Sequence, residues 1–287
     1  MNNIESFSSI NDIKNKISQW KSEGYSIGFV PTMGYLHDGH TSLIQRANNE
    51  NDKVIVSIFV NPTQFGPNED LDNYPRDLKR DTELCAENGA DAIFNPSARE
   101  MYGDNPYAYV DINQLSSELC GTSRPGHFRG VCTVVLKLFN IMTPDRAYFG
   151  EKDAQQLAII KKMVLDLNMP VQVIGCPIVR EADGLAKSSR NTYLSSEHRK
   201  AAVVLSQSLA LAKTSLKNGE RDAEKILAII GEKISSEPLA KVDYIQVVDL
   251  KSLKTVKSIK DDILVAIAVH FDKTRLIDNF SFKIKNN

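Results

Sequence analysis

Two histidines, His37 and His40, frame the turn His37-Asp-Gly-His40, an HxGH element. It lies between a short apolar run, Ser26 to Val30, and a helical pattern that begins near Gly39 and continues to about Asn49. The run reads as a buried strand that stops at Pro31. The helix places Leu43, Ile44 and Ala47 on its inner face. Backbone N–H groups at a helix start lack intrahelical partners and carry partial positive charge, so they attract phosphate. Imidazoles at that edge can donate to phosphate oxygens whose charge grows during a reaction. Gly34 and Gly39 allow a ligand close to the backbone. The plain alternative is a βα turn with two surface histidines.

Three further stretches carry usable chemistry. Asn61-Pro-Thr-Gln64 supplies neutral amides that both donate and accept, which suits a hydroxy acid or carboxylate, or merely caps a turn. Gly150-Glu-Lys-Asp153 opens another helix. There Lys152 can meet a phosphate as a point charge, and Asp153 can cap the helix or accept from ribose hydroxyls. Lys187-Ser-Ser-Arg190 offers several donors to a triphosphate, and alone is equally an exposed polar loop. Between them, Gly121 to Gly130 holds Arg124, His127 and Arg129. Its glycines and proline predict irregular structure, a cationic loop for an anion or an acidic surface.

The elements that must position these groups alternate. Ile10 to Glu23 reads as an amphipathic helix with Ile13, Ile17 and Trp20 inward. Lys53 to Val60 is apolar almost throughout, as a parallel strand covered on both faces would be. With the first strand and helix it makes a right-handed βαβ unit. Helices at Asp77 to Asn88, Val131 to Met142 and Ala154 to Leu167 alternate with strands at Asp91 to Phe94, Ala147 to Phe149 and Val171 to Gly175, with a further strand at Tyr109 to Ile112. Ligands in such open sheets bind beyond the carboxyl ends of the strands, so HxGH and the Asn61–Gln64 turn should share one edge. From Ser195 the character changes to helices (Ser196 to Lys217, Arg221 to Ser235) and strands (Val242 to Val248, Ile263 to Phe271). The expected fold class is α/β: a Rossmann-like doubly wound parallel sheet over residues 1–177, with a smaller α+β domain over 178–287 that contributes the Lys187–Arg190 loop.

Composition narrows the field. The chain has 287 residues and a hydrophobic fraction of 42%, enough for a real core. Its 35 basic and 36 acidic residues nearly cancel without a basic tract, which argues against nucleic acid as partner. No apolar run reaches the length that spans a bilayer, and Met1 to Trp20 lacks a signal-peptide core. Four scattered cysteines without a CxxC pair suggest reduced structural thiols and a cytoplasmic protein. GxGxxG, the P-loop and a nucleophile elbow are absent.

HxGH followed by a Lys/Ser segment resembles the HIGH and KMSKS pair of the nucleotidylyltransferase superfamily. Five longer strings are more specific: PTMGYLHDGH (31–40), SIFVNPTQF (57–65), SRPGHFRGV (123–131), FGEKDAQQL (149–157) and DGLAKSSRNTYLS (183–195), with RLIDN at 275–279. In order and spacing they closely resemble the pantoate–β-alanine ligase family across essentially the whole chain. The resemblance implies a homodimer that condenses (R)-pantoate with β-alanine, giving pantothenate, AMP and pyrophosphate through a pantoyl adenylate. ATP is a substrate, Mg²⁺ accompanies it, and no organic cofactor is needed. By the same resemblance His40, His37 and Lys152 are catalytic. Met33, Gly34, Tyr35, Leu36, His37, Asp38, Gly39 and His40 contact ATP. So do Gly150, Glu151, Lys152, Asp153, Val179, Lys187, Ser188, Ser189 and Arg190. Gln64 and Gln156 hold pantoate with Asn61 near them, and Gln64 also faces β-alanine. The resemblance leaves the metal ligands unknown. Thr63 and Lys187 depart from the family's usual residues. Three rivals remain on the residues alone: a transferase coupling a phosphomonoester to a nucleotide, a non-catalytic nucleotide-binding module, and an RNA-linked aminoacyl-adenylating enzyme.

Overall fold

The computed structural model describes residues 4–67 and 69–284. The chain divides into two compact units. The first comprises residues 1–116, 124–151 and 156–177; the second comprises 117–123, 152–155 and 178–287.

The first unit is built on a six-stranded parallel sheet: β1 (Glu5–Phe7), β2 (Ile27–Thr32), β3 (Lys53–Ile58), β4 (Ala92–Phe94), β5 (Arg146–Gly150) and β6 (Gln172–Cys176), in the order β1-β4-β3-β2-β5-β6. The chain steps outward from β2 through β3 to β4, then returns to place β5 on the other side of β2. That reversal marks a topological switch point between β2 and β5, where open α/β sheets bind ligands. Strand residues alternate between two cores. Val30, Val54, Val56, Ile58 and Ile93 meet Leu43, Ile44 and Ala47 of helix α2 (Asp38–Glu50), with Cys85 of α3 (Leu78–Glu87) in the same cluster. On the opposite face, Phe29 and Phe149 flank Phe139 of α6 (His127–Met142) edge-on, and α6 packs beside α1 (Ile10–Ser22). A short helix, α4 (Ala98–Tyr102), precedes α6 in this unit, and α7 (Ala154–Asp166) follows β5; α5 (Cys120–Ser123) belongs to the second unit.

Several expectations change. β2 runs through Pro31 to Thr32 rather than stopping there. Its pairing with β5 extends only to Phe29, so proline's missing N–H costs no ladder bond on that side. Thr32 Oγ1 then donates to the Ser57 carbonyl at 2.8 Å. Tyr109 to Ile112 forms no strand; the Val110 N–H donates to Thr133 Oγ1 of α6 instead. The stretch from Gly121 to Gly130 is not irregular: α5 covers its start, and α6 begins at His127 behind Gly126, which supplies the left-handed φ of 81°. β1 escaped sequence reading because its three residues show no period.

The second unit contains a three-stranded antiparallel sheet, β7 (Ala240–Asp249), β8 (Ile263–Phe271) and β9 (Thr274–Phe282). Helices α9 (Val204–Lys217) and α10 (Ala223–Ser235) pack on it, and α8 (Ser196–Ala201) precedes them. The helix expected over Ser196 to Lys217 breaks between Ala201 and Val204. β9 was missed because Arg275, Asp278 and Asn279 disguise its apolar alternation.

Candidate active site

The turn after β2 is held from below by a carboxylate. Asp81 of α3 is 1% exposed, and its two oxygens accept the Tyr35 and Leu36 N–H groups, both at 2.7 Å. Burial pushes the Asp81 carboxyl up from its ordinary value, against the pull of the Leu36 and Tyr35 amides and the Arg80 guanidinium. Gly34 and Tyr35 both adopt positive φ, at 86° and 51°. A Cβ on Gly34 would sit 3.0 Å from Asp81 Oδ2, so glycine serves both the turn and the close approach. The Gly34 N–H donates to Thr32 Oγ1. Sequence reading missed Asp81, because a carboxylate in the first turn of a helix normally reads as a solvated dipole partner.

The two histidines cap α2 reciprocally. His37 is the N-cap, and its Nδ1 accepts the Gly39 N–H at 3.1 Å. His40 Nδ1 accepts the His37 N–H at 3.3 Å, completing a capping box in which imidazoles replace the usual serine and glutamate. The rings lie face by face but tilted by 34°, with centroids 4.1 Å apart. An Nδ1 that accepts a hydrogen bond fixes the neutral ring as the Nε2–H tautomer. Each ring therefore carries its proton on Nε2. Meanwhile the His40 and Thr41 amides return to the His37 carbonyl. The His40 and Thr41 amides are thus spent within the turn itself.

The turn after β3 lies at the same sheet edge, since Thr32 pairs with Ile58 in a parallel register. Asn61 is 1% exposed and fully engaged. Its Oδ1 accepts from Tyr102 Oη at 2.7 Å and from Thr63 Oγ1 at 3.0 Å. Its Nδ2 donates to Gln64 Oε1 at 3.0 Å and to the Gly130 carbonyl at 3.2 Å. Gln64 is buried, with Nε2 3.2 Å from Met33 Sδ. Gly130 lets α6 touch this turn: a Cβ there would fall 2.3 Å from the Thr63 carbonyl oxygen and 2.7 Å from Gln64 Cα. Thr63 takes part through its hydroxyl in the Asn61–Tyr102 network. Tyr102 carried no sequence signal beyond its type.

The expected cationic loop is spoken for internally. Arg124 lies side-on to Glu69, at 2.6 and 2.7 Å, and contacts His127 Nε2 at 2.9 Å. Burial works to raise the Glu69 carboxyl, but the Arg124 guanidinium outweighs it and holds the group below its ordinary value. Arg129 lies over the Tyr109 ring.

In the first unit, Gly150 ends β5, Glu151 opens the 3-10 turn that follows it, and Gln156 lies half-buried on α7. In the second unit, Lys152 is partly buried with Asp153 3.8 Å away, and its carbonyl accepts from Asn279 Nδ2 at 2.7 Å. Also there, the Val179 carbonyl accepts the Lys187 N–H at 2.9 Å across a tight turn, Glu181–Gly184. The Lys187 ammonium lies 3.8 Å from Glu181. Ser188 Oγ accepts the Arg190 N–H and caps a 3-10 turn, Ser189–Tyr193. Arg180 and the buried Asp278 pair bidentately at 2.7 and 2.9 Å. Asp278 and Asn279 of RLIDN therefore fasten the loop and the Lys152 main chain within this unit.

A doubly wound parallel sheet, with an imidazole pair capping the helix after its central strand and a buried amide cluster beside it, defines an α/β enzyme built to bind an anionic ligand at the strand ends. Comparison with known proteins gives the particular family. The family model for pantoate–β-alanine ligase matches residues 5–281. A pantothenate synthetase of Enterococcus faecalis is 62% identical over 97% of this chain and 99% of its own length. That of Clostridium acetobutylicum is 63% identical over 98% and 100%. Among solved structures, pantothenate synthetase of Thermus thermophilus superposes with a TM-score of 0.92 at 42% identity, covering 96% of this chain and 99% of the other. Pantoate–β-alanine ligase of Francisella tularensis, complexed with Beta-gamma ATP and β-alanine, gives 0.79 at 37% identity, covering 97% of each chain. The chain belongs to the pantoate–β-alanine ligase family.

Proposed function

We propose that this protein joins pantoate to β-alanine at the expense of ATP, releasing AMP and pyrophosphate through a pantoyl adenylate. The observation that carries the reading is the neighbouring placement, on one sheet edge, of the capped imidazole pair and the Asn61–Gln64 amide cluster, in a chain of this family. A carboxylate is ionised at neutral pH, its reference pKa being about 4, so the first step needs no base. It needs two anions aligned and the charge on the departing pyrophosphate neutralised. Pantoate's carboxylate oxygen bonds to the α-phosphorus, and the bond to the bridging oxygen of pyrophosphate breaks. The β-alanine amine then bonds to the acyl carbon, and AMP leaves with the shared oxygen.

His37 and His40 donate through Nε2–H to the phosphates, which is what their Nδ1 caps support. Lys152, Ser188, Ser189 and Arg190 supply further donors, with Lys187 beside them, and Val179 reads adenine through its backbone. Residues 33–40 and 150–153 line the nucleotide. Gln64 and Gln156 hold pantoate, and Gln64 also faces β-alanine. Asn61, whose own amide is spent inside the protein, acts by fixing Gln64. Mg²⁺ arrives on the triphosphate, as magnesium usually binds through substrate phosphates and water rather than a protein cage. The family resemblance supports a homodimer. No helix among the described residues is long and apolar enough to cross a membrane, and the protein is proposed to act in the cytoplasm.

The test is product analysis with ATP, Mg²⁺ and pantoate, with and without β-alanine. A pyrophosphate burst without β-alanine, turning into steady formation of AMP and pantothenate when it is added, is expected. Pyrophosphate release indifferent to pantoate would return the phosphomonoester transferase. No release would return the binding module.

A further inference from the structure

We propose that Glu69, Arg124 and His127 form a positioning relay that fixes the main chain of Gln64 and so sets the affinity of the pantoate subsite; this rests on the reading of Gln64 as a pantoate residue. A guanidinium carries only donors, so His127 Nε2, 2.9 Å from Arg124 Nη1, must accept. The neutral ring then bears its proton on Nδ1 and donates it to the Gln64 carbonyl at 2.8 Å. This is the opposite tautomer from that of His37 and His40, and it is imposed by Arg124. Glu69 in turn holds Arg124 side-on through both oxygens, a geometry that orients the guanidinium plane.

The relay begins and ends on one stretch of chain. Glu69 lies in the loop that follows Gln64, and the relay returns from it through Arg124 and the first residue of α6 to the root of that loop. Gln64 is thus gripped three ways from α6: at its carbonyl by His127, at its Cα by the close approach of Gly130, and through Asn61 by the Gly130 carbonyl. None of the three relay residues is required to touch substrate. Their effect is to leave Gln64 one backbone position in which its side-chain amide is presented.

Two isosteric replacements separate the functions of the ring. His127→Asn keeps an N–H near the Nδ1 position and so the bond to Gln64; His127→Gln keeps an acceptor near Nε2 for Arg124 but loses that bond. Steady-state kinetics on the full chain should show the pantoate KM rising about tenfold in His127→Gln and His127→Ala, the scale of one lost hydrogen bond. In His127→Asn it should stay within about threefold, with the ATP KM unchanged in all three. Glu69→Gln, at the more exposed end, should raise the pantoate KM by a few fold and serves if the histidine variants do not fold. Arg124→Ala combined with His127→Ala should cost no more than His127→Ala alone, since groups acting as one unit are not additive. Equal behaviour of the Asn and Gln variants would overturn the relay. So would a parallel rise of the ATP and pantoate KM values, or a pantoate KM unmoved in Glu69→Gln. Wild-type protein that makes no pantothenate would instead remove the reading of Gln64 itself.

Discussion

Replacing Gly130 with alanine puts one methyl group where there is no room for it. The added Cβ would lie 2.3 Å from the Thr63 carbonyl oxygen, 2.5 Å from its carbon and 2.7 Å from Gln64 Cα. All three are backbone atoms, so no side chain can swing aside. The nearest contact falls short of ordinary van der Waals distance by about 1 Å, and either α6 or the Pro62–Gln64 turn must shift by roughly that amount. Overpacking of this kind costs about 1–3 kcal/mol. Helix propensity works the other way, since alanine in place of a mid-helix glycine gains about 1 kcal/mol. The net effect on stability is therefore small and unfavourable, about 0–2 kcal/mol. The effect on activity should be larger, because misplacing a substrate-holding group by about 1 Å can cost on the order of 100-fold. Thermal unfolding followed by circular dichroism, beside initial rates of pyrophosphate release over a range of pantoate concentrations, reads both. The expected variant is folded, slightly less stable, and impaired by 10- to 100-fold in kcat/KM for pantoate, by the estimate above. A variant that is more stable than the parent and unchanged toward pantoate would show that the propensity gain alone operates, and that α6 does not hold Gln64.

Other substitutions probe the remaining parts. His40→Ala should lower the adenylation rate by about 10²–10³, the cost of one donor to developing charge, while circular dichroism shows an intact fold; an active variant would remove His40 from catalysis. Asp81→Asn leaves one of the Tyr35 and Leu36 amides facing an N–H group rather than an oxygen, so pyrophosphate release should slow with the fold retained. Because burial raises the folded pKa of Asp81 above its unfolded value, its titration contributes stability that is fully present below the unfolded pKa and lost as pH rises through the folded one. The melting temperature of Asp81→Asn should accordingly lose that part of the parent's decline with rising acidic pH, and matching profiles would contradict the assignment. Burial pushes the Cys85 and Cys132 thiols up to about 12, so iodoacetamide at pH 8 should leave both unlabelled in native protein and label both after denaturation, as read by peptide mapping.

Much of the first unit was legible because its signals are local. The apolar runs at β2 and β3 and the 3.6-residue period of α2 set strand, turn and helix in order, and parallel pairing then forces HxGH and Asn61–Gln64 to one edge. What stayed hidden depends on contacts between distant parts of the chain. Asp81 supports a turn 45 residues away, Tyr102 reaches Asn61 across 41, and Arg124 meets Glu69 across 55. A residue type cannot announce such a partner. Arg124, His127 and Arg129 read as a free cationic cluster for the same reason, since their internal partners lie elsewhere in sequence. Pro31 misled by its usual role as a breaker; only the pairing pattern shows that the ladder with β5 on one side has already stopped at Phe29. In the second unit the change of pattern near Ser195 announced helices and strands, whereas β9 was concealed by the charged residues that fasten it.

Transfer of oxygen is the most direct measure of the central claim, that pantoate's carboxylate attacks the α-phosphorus of ATP. Pantoate labelled with ¹⁸O in its carboxyl group is turned over with ATP, Mg²⁺ and β-alanine, and the AMP is weighed by mass spectrometry. Attack by the carboxylate leaves one of its oxygens on phosphorus when the amine displaces AMP, so each AMP should carry one labelled oxygen. Unlabelled AMP formed alongside pantothenate would contradict the adenylate and require activation at a different phosphorus or by a different group.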